Sequence, residues 1–435
     1  MSGKGAPARR GAAEFTSGET FGDEGRYYAE SRSRGRRLRT KENHRVARSW
    51  RRRLSLLAIV LGSLAGLWLL AYLHVRDAVG GHAEGERLSR VTSSPQWKDG
   101  RFVNTLARHD GPFFTMLSRW FQGAPNTEPT APLPVETRKP GDFANPPADG
   151  LRVTWFGHST LWLEIDGARV LIDPVFGERC SPSSIVGPKR FHAPPIPLAE
   201  LPKPDVVVIS HDHYDHLDYP SIVELSKKGA LFAVPLGVGA HLEAWGVPRE
   251  RISELDWWQH ARIGKLTLTA TPARHFSGRS PTMSDQDQTL WAGWVMQGAK
   301  HRAFYSGDTA MFPGFREIGQ RLGPFDLTMI EVGAYNALWA DVHLGPEQAV
   351  AAHEDLRGAV MLPVHWGTFN LALHPFTEPV ERVLLAAKKA DVKVVSPRVG
   401  QMVDLAQPPP VERWWPNVPF ETAEQAPVVS SGLAP

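Results

Sequence analysis

The chain has a single cysteine, Cys180, among 435 residues. One thiol allows no internal disulfide and says nothing about the redox compartment. The excess of positive charge is small, at +3, and it reflects an arginine-rich beginning of the chain, so it is no indication of nucleic-acid binding. There is also no internal repeat. These absences leave an ordinary globular protein with additional segments at its ends.

The first 75 residues differ from the rest. Residues 1–53 are basic and low in apolar side chains, which predicts a disordered cytoplasmic tail. The stretch from Leu54 to Val75 is uncharged and long enough for the ~20 residues that cross a bilayer as a helix. It predicts a single-pass transmembrane signal-anchor.

The charges beside this stretch predict its orientation. Basic residues crowd its amino-terminal side, whereas acidic residues soon balance Arg76 on the other side. The positive-inside rule then keeps the amino terminus inside and carries the large carboxy-terminal part to the periplasm or cell surface. A cleaved signal peptide is the alternative, but the apolar run exceeds the 7–15 residues of a signal-peptide core.

The remaining chain predicts one α/β domain with two flanking segments. Residues 76–150 are predicted to be a linker and an amino-terminal extension, and residues 405–435 a proline-rich, irregular tail. Within the extension, the apolar residues from Ser93 to Gly123 either pack on this domain or lie in the membrane interface. Residues 151–404 alternate strand and helix patterns, which predict two β-sheets packed face to face with helices outside, a four-layer αββα sandwich.

The most informative motif follows the buried strand pattern of Val206 to Ile209. It reads His-Asp-His-Tyr-Asp-His over residues 211–216. Residues two apart in an extended segment point the same way, so His211 and His213 can bind one ion. Asp215 and His216 come next, where Asp218-Tyr219-Pro220 predicts the start of a helix ending near Lys228, and they are placed to face a second ion.

Three more candidate ligands follow strand patterns further along the chain: His275, Asp308 and His365. A single histidine after a strand is more often a core or capping residue. Three candidates in this order after the first motif indicate a shared site instead.

The order of these motifs resembles the metallo-β-lactamase superfamily, and within it the branch of the N-acylphosphatidylethanolamine-hydrolysing phospholipases D and their bacterial relatives. The closer resemblance, from about Ser94 to Asp404, rests on these segments: Thr154-Trp-Phe-Gly-His-Ser-Thr160, Leu171-Ile-Asp-Pro-Val-Phe176, Gly187-Pro-Lys-Arg190, Ser210-His-Asp-His-Tyr-Asp-His-Leu-Asp218 and Val364-His-Trp-Gly-Thr-Phe369. One departure is Asp308-Thr-Ala310, where a glycine often follows the Asp-Thr in this family.

The resemblance implies a complete set of ligands for two metal ions. The first ion would be held by His211, His213 and His275, the second by Asp215, His216 and His365, and Asp308 would bridge the two. Two divalent ions sharing a water lower its pKa, so that the bridging hydroxide can attack the substrate. Nitrogen and oxygen ligands favour zinc, although iron or manganese would accept them too.

Three further residues have expected roles near the metals. His158 and Asp173 are expected to orient ligand imidazoles from outside the coordination shell, although a structural role is an equal alternative. His343, just before a helix pattern that starts at Pro346, is implied by the resemblance to be a proton donor or a substrate clamp. The catalytic side chains are therefore expected to be Asp308, His343 and Asp215.

The expected activity is hydrolysis of a phosphodiester in a lipid of the N-acylphosphatidylethanolamine type, since a membrane tether holds the enzyme near such a substrate. A lactonase or small-ester hydrolase similar to the ascorbate-6-phosphate lactonases is the alternative. A ribonuclease with the same motif is disfavoured, because the chain has no basic patch near the site. A non-catalytic envelope binding protein would predict a broken ligand set, which is not found here. A homodimer is compatible with the sequence.

Overall fold

The computed structural model describes residues 24–109 and 111–433. These residues divide into two compact units, with the boundary between Tyr72 and Leu73. The second unit contains every predicted site residue. Each unit is described by itself below.

The first unit is helical. Its described residues, 24–72, belong to helix α1 (Glu24–Val79), whose last turns lie in the second unit. The part of α1 over Arg36–Val79 is long and apolar enough to cross a membrane, and no residue of its most apolar window is buried. Residues 24–53, expected to be disordered, are helical as well, because arginine, alanine, leucine and glutamate all favour helix. Residues 1–23 of the predicted tail lie outside the described residues.

Two mixed β-sheets form the centre of the second unit. The first sheet has the strand order β15-β3-β4-β5-β6-β7-β8 and the second has the order β14-β13-β12-β11-β10-β9. In the described chain the strands are β1 (Trp97–Lys98), β2 (Arg101–Phe102), β3 (Leu151–Trp155), β4 (Leu161–Ile165), β5 (Ala168–Ile172), β6 (Val206–Val208), β7 (Phe232–Pro235), β8 (Ile252–Leu255), β9 (His260–Ile263), β10 (Leu266–Thr271), β11 (Gly293–Gln297), β12 (Arg302–Tyr305), β13 (Phe325–Glu331), β14 (Gly358–Val364) and β15 (Met402–Asp404).

The remaining helices of the described chain accompany these sheets. They are α2 (Gly85–Thr92), α3 (Phe113–Gln122), α4 (Tyr219–Lys227), α5 (Gly239–Ala244), α6 (Gly314–Leu322), α7 (Pro346–Asp355) and α8 (Glu378–Ala390). The helix predicted from Tyr219 to about Lys228 is confirmed as α4, and Asp218 caps it by accepting a hydrogen bond from the backbone N–H of Ser221.

Alternation along β6 shows how four layers arise. Val206 and Val208 join the core between the two sheets, whereas Val207 and Ile209 join a second core that contains residues of α4 and α5. Successive side chains of a strand point to opposite faces, so β6 is apolar on both. Helix α7 packs on β13 and β14 of the other sheet. The predicted αββα sandwich is confirmed.

The direction of the strands concentrates functional residues at one edge. Strands β5, β6, β7 and β8 are parallel, as are β12, β13 and β14. Asp173, His211, Asp308 and His365 all follow the carboxyl end of one of these strands. Carboxyl ends of parallel strands lie at the same edge of a sheet, where ligands usually bind.

The segments that flank residues 151–404 are packed on the sandwich. The tail after residue 404 has no helix or strand among its described residues, as its composition predicts, but Trp415 is buried and stacks edge-on against Trp366 at a centroid distance of 5.3 Å. In the extension, Phe102 is buried and its N–H donates to the carbonyl of Asp287. Irregular backbone here is fixed by side-chain burial.

A close helix contact provides a test of the packing outside the site. A Cβ on Gly319 of α6 would overlap the carbonyl oxygen of Asp355 and lie 2.9 Å from Cα of Leu356 at the end of α7. Because main chain cannot move aside, Gly319→Ala should lower the free energy of unfolding by about 1–3 kcal/mol, measured by urea denaturation. Gly141→Ala is the control, since nothing lies within 4 Å of that position; equal stabilities of the two variants would contradict the packing.

Candidate metal centre

The loop after β6 brings the first motif to the edge of the sandwich. Ser210 precedes it, and Asp173 accepts hydrogen bonds from the backbone N–H of Ser210 at 2.8 Å and from its hydroxyl at 2.5 Å. His216 N–H donates to the carbonyl of His213 at 3.0 Å, so the loop turns within the motif. This turn separates the motif into two pairs of side chains.

Three imidazoles converge as the first group. His213 Nδ1 lies 2.8 Å from His211 Nε2 and 3.2 Å from His275 Nε2. Together with Asp308, they place one ligand atom each within 4.8 Å of one another. Asp308 Oδ2 lies 3.9 Å from His211 Nε2 and 3.8 Å from His275 Nε2. Three nitrogens and one oxygen at such distances fit the ligand set of a tetrahedral divalent ion.

A second group lies on the other side of Asp308. Asp308 Oδ1 is 3.1 Å from His216 Nε2, and Asp308 Oδ2 is 3.1 Å from His365 Nε2. Asp215 Oδ2 is 3.5 Å from His216 Nε2 and 3.3 Å from His365 Nε2. The Asp308 carboxylate therefore lies between two groups of imidazoles, in the position expected of a bridge.

Unpartnered polar atoms show that the two groups suit metal ions. The Nε2 atoms of His216 and His365 and Oδ1 of Asp308 are buried and have no hydrogen bond of acceptable geometry within the described residues, although each Nε2 lies 3.1 Å from an oxygen of Asp308. Buried polar atoms are normally satisfied. Donor atoms that face one another across a small space without bonding are arranged for a cation between them, so the residues fit two divalent ions.

Burial and neighbouring charges displace the pKa values of the two groups in different directions. Burial, together with the neighbouring histidines, holds the pKa of His211 and of His275 well below the usual value, which favours the neutral, metal-binding form. Burial opposes ionisation of Asp308, but His216 and His365 keep its pKa well below the usual range. Burial also disfavours the charged form of His365, yet Asp308 and Asp215 raise its pKa to about 10. The second group therefore attracts positive charge, which a metal would supply in place of protons.

Asp173 contacts a candidate ligand, as expected. It accepts a hydrogen bond from His216 Nδ1 at 2.7 Å and another from the hydroxyl of Tyr305 at 2.6 Å. With the two bonds from Ser210, all the described partners of this carboxylate are donors, so it fixes Nδ1–H and leaves Nε2 of His216 for a metal. Tyr305 had not been predicted at the site; its position at the end of β12 was the available signal.

His158 contacts both a carboxylate and an imidazole of the second group. Its Nε2 lies 3.1 Å from Asp215 Oδ2, and its ring centre lies 4.1 Å from that of His365, one of the imidazoles that it was expected to orient. Burial and nearby His365 lower the pKa of His158 to about 3, so the neutral ring donates this bond. His158, Asp173 and His365 have φ angles of 51°, 37° and 66°, in the left-handed region that costs most residues energy.

The structure adds a residue that sequence reasoning missed. Glu331 ends β13, is fully buried, and accepts a hydrogen bond from His343 Nδ1 at 2.8 Å. It also accepts one from the backbone N–H of Thr309, next to the predicted bridge, at 2.5 Å. Burial raises the pKa of Glu331, although His343 opposes the rise. An acidic residue at the carboxyl end of a buried strand pattern was the available signal, as it was for Asp308.

Asn104, in the amino-terminal extension, was also missed. Its side-chain amide donates to the carbonyl of His275 at 2.8 Å, and its Oδ1 accepts from the backbone N–H of His275 at 3.0 Å. The extension thus fixes the backbone of a candidate ligand. No local sequence signal identifies a contact between residues 171 positions apart.

An apolar groove of about 460 Å³ lies beside the metal centre. His343 lines it together with Phe276, Trp339 and Leu371, and the Phe276 ring lies 4.5 Å from that of His213. Its lining also includes Met116, Leu117 and Trp120 of α3. A polar, buried ligand cluster therefore borders a space with largely apolar walls.

Comparisons with known proteins agree with this arrangement. Residues 168–366 match the family model described as "Beta-lactamase superfamily domain". An uncharacterized protein of Mycobacterium tuberculosis is 48% identical over 379 residues, covering 84% of this chain and 99% of that protein. N-acyl-phosphatidylethanolamine-hydrolyzing phospholipase D 1 of Caenorhabditis elegans is 35% identical, covering 55% of this chain and 69% of that protein. The mitochondrial enzyme of the same name in Saccharomyces cerevisiae is 33% identical, covering 54% and 51%.

The chain is a metal-dependent hydrolase of the metallo-β-lactamase fold. It belongs to the branch of that superfamily that includes the N-acylphosphatidylethanolamine-hydrolysing phospholipases D. The resemblance inferred from the motifs is confirmed. Its histidine and aspartate clusters are candidate sites for divalent metal.

Replacing Asp173 tests its role in orienting His216. Asp173→Asn keeps the size of the side chain but removes the charge that fixes Nδ1–H, so the affinity for Zn²⁺ as a probe ion should fall by about 10- to 100-fold. Chelator competition measures this affinity. Tyr305→Phe is the matched control, because it removes one hydrogen bond to Asp173 and leaves the contact with His216; it should cause a smaller loss. If Asp173→Asn binds Zn²⁺ with wild-type affinity, Asp173 does not orient His216 for metal binding.

Proposed function

We propose that this protein is a membrane-attached, two-zinc phosphodiesterase of the phospholipase D type, acting on glycerophospholipids similar to N-acylphosphatidylethanolamine. The observation that carries the proposal is the position of the two ligand groups, which share Asp308 and lie next to the apolar groove. The family relationship supports the reaction, and the groove supports a lipid rather than a small polar substrate.

The proposed roles of the metal-binding side chains follow from their grouping. His211, His213 and His275 would hold one Zn²⁺, and Asp215, His216 and His365 would hold the other, with Asp308 shared. Zn²⁺ suits this nitrogen-rich set, which lacks thiolates. When bound, the two ions would supply Lewis acidity and a water of lowered pKa for attack on phosphorus.

His343 is the proposed proton donor to the leaving group. Its Nδ1 is engaged by Glu331, so Nε2 is the nitrogen left for the substrate. The side chain is 13% exposed and lines the groove. A carboxylate that binds one nitrogen fixes the tautomer and orientation of the imidazole, which is how a histidine becomes an effective general acid.

The walls of the groove suit acyl chains. Phe276, whose ring lies 4.5 Å from that of His213, lines it together with Trp339, Leu371 and residues of α3. Helix α3 also leaves Trp120 49% exposed and Phe121 83% exposed, so its apolar side chains do not all pack on the enzyme. Large exposed apolar side chains next to a site indicate contact with an apolar partner. This observation favours the membrane-interface alternative for the segment from Ser93 to Gly123.

A membrane tether would raise the local concentration of such a substrate. We propose that residues 54–75 of α1 are the span, that residues 1–53 stay in the cytoplasm and that the catalytic domain, residues 151–404 with its flanking segments 76–150 and 405–435, is extracytoplasmic. The long apolar helix and the arginines on its amino-terminal side support this arrangement.

An assay on defined lipids tests the reaction. Full-length protein in mixed micelles should contain two zinc ions per chain and release phosphatidic acid from N-acylphosphatidylethanolamine faster than from phosphatidylethanolamine, because the groove provides room for apolar chains. Mass spectrometry identifies the products. Asp308→Asn should abolish release while the fold is kept, since it weakens the shared ligand without removing bulk.

The outcomes separate the alternatives. Two metals without lipid hydrolysis would overturn the phospholipase proposal and favour a lactone or small-ester substrate. Wild-type activity in Asp308→Asn would show that the assignment of the metal ligands is wrong.

Replacing His343 tests the assignment of the proton donor. His343→Ala should lower kcat by about 100- to 10,000-fold and leave two metals bound, because His343 is outside both proposed ligand groups. Kinetics and metal analysis on the same preparation measure both quantities. A substrate with a more acidic leaving group should regain part of the lost rate. Loss of one metal would instead make His343 a ligand.

A further inference from the structure

The last turn of helix α1 lies in the catalytic unit and is held there by two side chains. Residues from Leu73 onward belong to this unit. The indole Nε1 of Trp245 donates to the carbonyl of Asp77 at 2.6 Å, and Arg279 donates to the carbonyl of Ala78 from Nε at 3.1 Å and from Nη2 at 2.7 Å. The final carbonyls of a helix have no partner within it, so these contacts cap the carboxyl end of α1.

The other side of the same guanidinium binds the metal-ligand loop. Arg279 Nη1 donates to the carbonyl of Asp212 and, at 2.9 Å, to that of Leu217. These two carbonyls enclose the segment that contains three of the proposed ligands, His213, Asp215 and His216. One side chain therefore connects the end of α1 to both ends of that segment.

The environment of Arg279 leaves it little freedom. The residue is 2% exposed, and its guanidinium carbon lies 4.1 Å from the ring centre of Tyr214 and 5.1 Å from that of Trp245. The Tyr214 hydroxyl donates back to the carbonyl of Arg279 at 2.8 Å. A planar fork of five N–H donors can bind the helix end and the loop at once, which a lysine ammonium cannot do in the same geometry.

The chain after α1 makes a second close approach to the same region. A Cβ on Gly81 would lie 2.7 Å from the carbonyl oxygen of Ala240, and a Cβ on Gly80 would overlap the ring of His241. His241 Nε2 lies 3.4 Å from Asp212 Oδ2, and Asp212 stands between His211 and His213. The two glycines thus allow the end of α1 to sit against the residues behind the metal-ligand loop.

We propose that Arg279 is a positioning residue, and that through it the carboxyl end of α1 is a structural part of the metal centre. The helix end accepts hydrogen bonds from Nε and Nη2 of Arg279. Nη1 then holds the loop 212–217 in the conformation that directs its ligands toward the metal ions. The proposal does not depend on which substrate is hydrolysed.

The test measures Zn²⁺ affinity by chelator competition on the full-length protein in detergent, together with the melting temperature and hydrogen exchange of residues 211–217. Arg279→Lys keeps the charge but loses the fork, and should lower Zn²⁺ affinity by about 10-fold or more and speed exchange in the loop. Gly81→Ala leaves Arg279 and the loop unchanged in sequence but pushes the chain away from Ala240. It should lower Zn²⁺ affinity in the same direction.

Arg87→Lys is the matched control. Arg87, in α2, is also buried and bridges the extension to the domain, but it binds Glu254 at 2.7 Å and Glu243, and it does not contact the metal-ligand loop. It should lower the melting temperature and leave Zn²⁺ affinity within about twofold, since packing alone does not set the ligand geometry.

Each outcome decides the proposal. Wild-type Zn²⁺ affinity in Arg279→Lys, or a loss of affinity no larger than in Arg87→Lys, would overturn the positioning role. Wild-type affinity in Gly81→Ala would overturn the part played by the helix end. If Arg279→Lys does not fold, Gly81→Ala carries the test by itself. Failure of wild-type protein to bind Zn²⁺ would reject the proposed metal centre as well, whereas failure of lipid hydrolysis alone would leave this inference standing.

Discussion

The architecture of the site depends on one constraint: the polar atoms of several candidate metal ligands are buried close to one another. His216, His365 and Asp308 place donor atoms about 3 Å apart without satisfactory hydrogen bonds among the described residues. Such an arrangement is costly unless a cation occupies it, so the surrounding protein has to impose it. The parallel strands do this by ending at one edge, and the strained backbone at His365 and Asp173 is the visible cost.

Segments outside the region that matches the family model complete the site. Asn104 binds the backbone of His275 from the amino-terminal side. From the carboxy-terminal side, Ser431 donates to Asp341 through its backbone N–H at 2.7 Å and its hydroxyl at 2.5 Å, and Arg274 pairs with the same carboxylate at 2.9 Å. Asp341 is two residues before His343, so the tail helps to hold the proposed proton donor. The domain and its attachments therefore act as one enzyme.

The polar centre and its apolar groove together support the proposal of a lipid substrate. The metals require ligands at the ends of buried strands, whereas the groove is built from α3 and from loops such as the one carrying Trp339. Loops vary more freely than the strands they connect, so substrate choice is separable from metal binding. For this reason the ligand set indicates the superfamily, whereas the groove is the part of the structure that bears on the substrate.

Residues near a strong motif were predictable, and residues brought in by distant packing were not. The spacing of the histidines and aspartates in residues 211–216 was enough to predict them as ligands. An apolar run predicted β6, and a helix-capping residue predicted α4. Glu331 was predictable by the rule that identified Asp308, but it lacked a motif around it. The hydrogen bond of His158 to Asp215, made beside its ring contact with His365, depends on side-chain directions in a left-handed turn, which spacing does not define.

The sequence by itself determined the family, the layered fold and the candidate ligands, because strand periodicity and metal-ligand spacing are local properties of the chain. Only the tertiary structure decided that Glu331 holds His343, that Asn104 and Ser431 close the site from both ends of the chain, and that Arg279 joins the end of α1 to the metal-ligand loop. These contacts join residues far apart in sequence. They arise when buried donors and acceptors find partners during packing, and no local pattern records which partner each one finds.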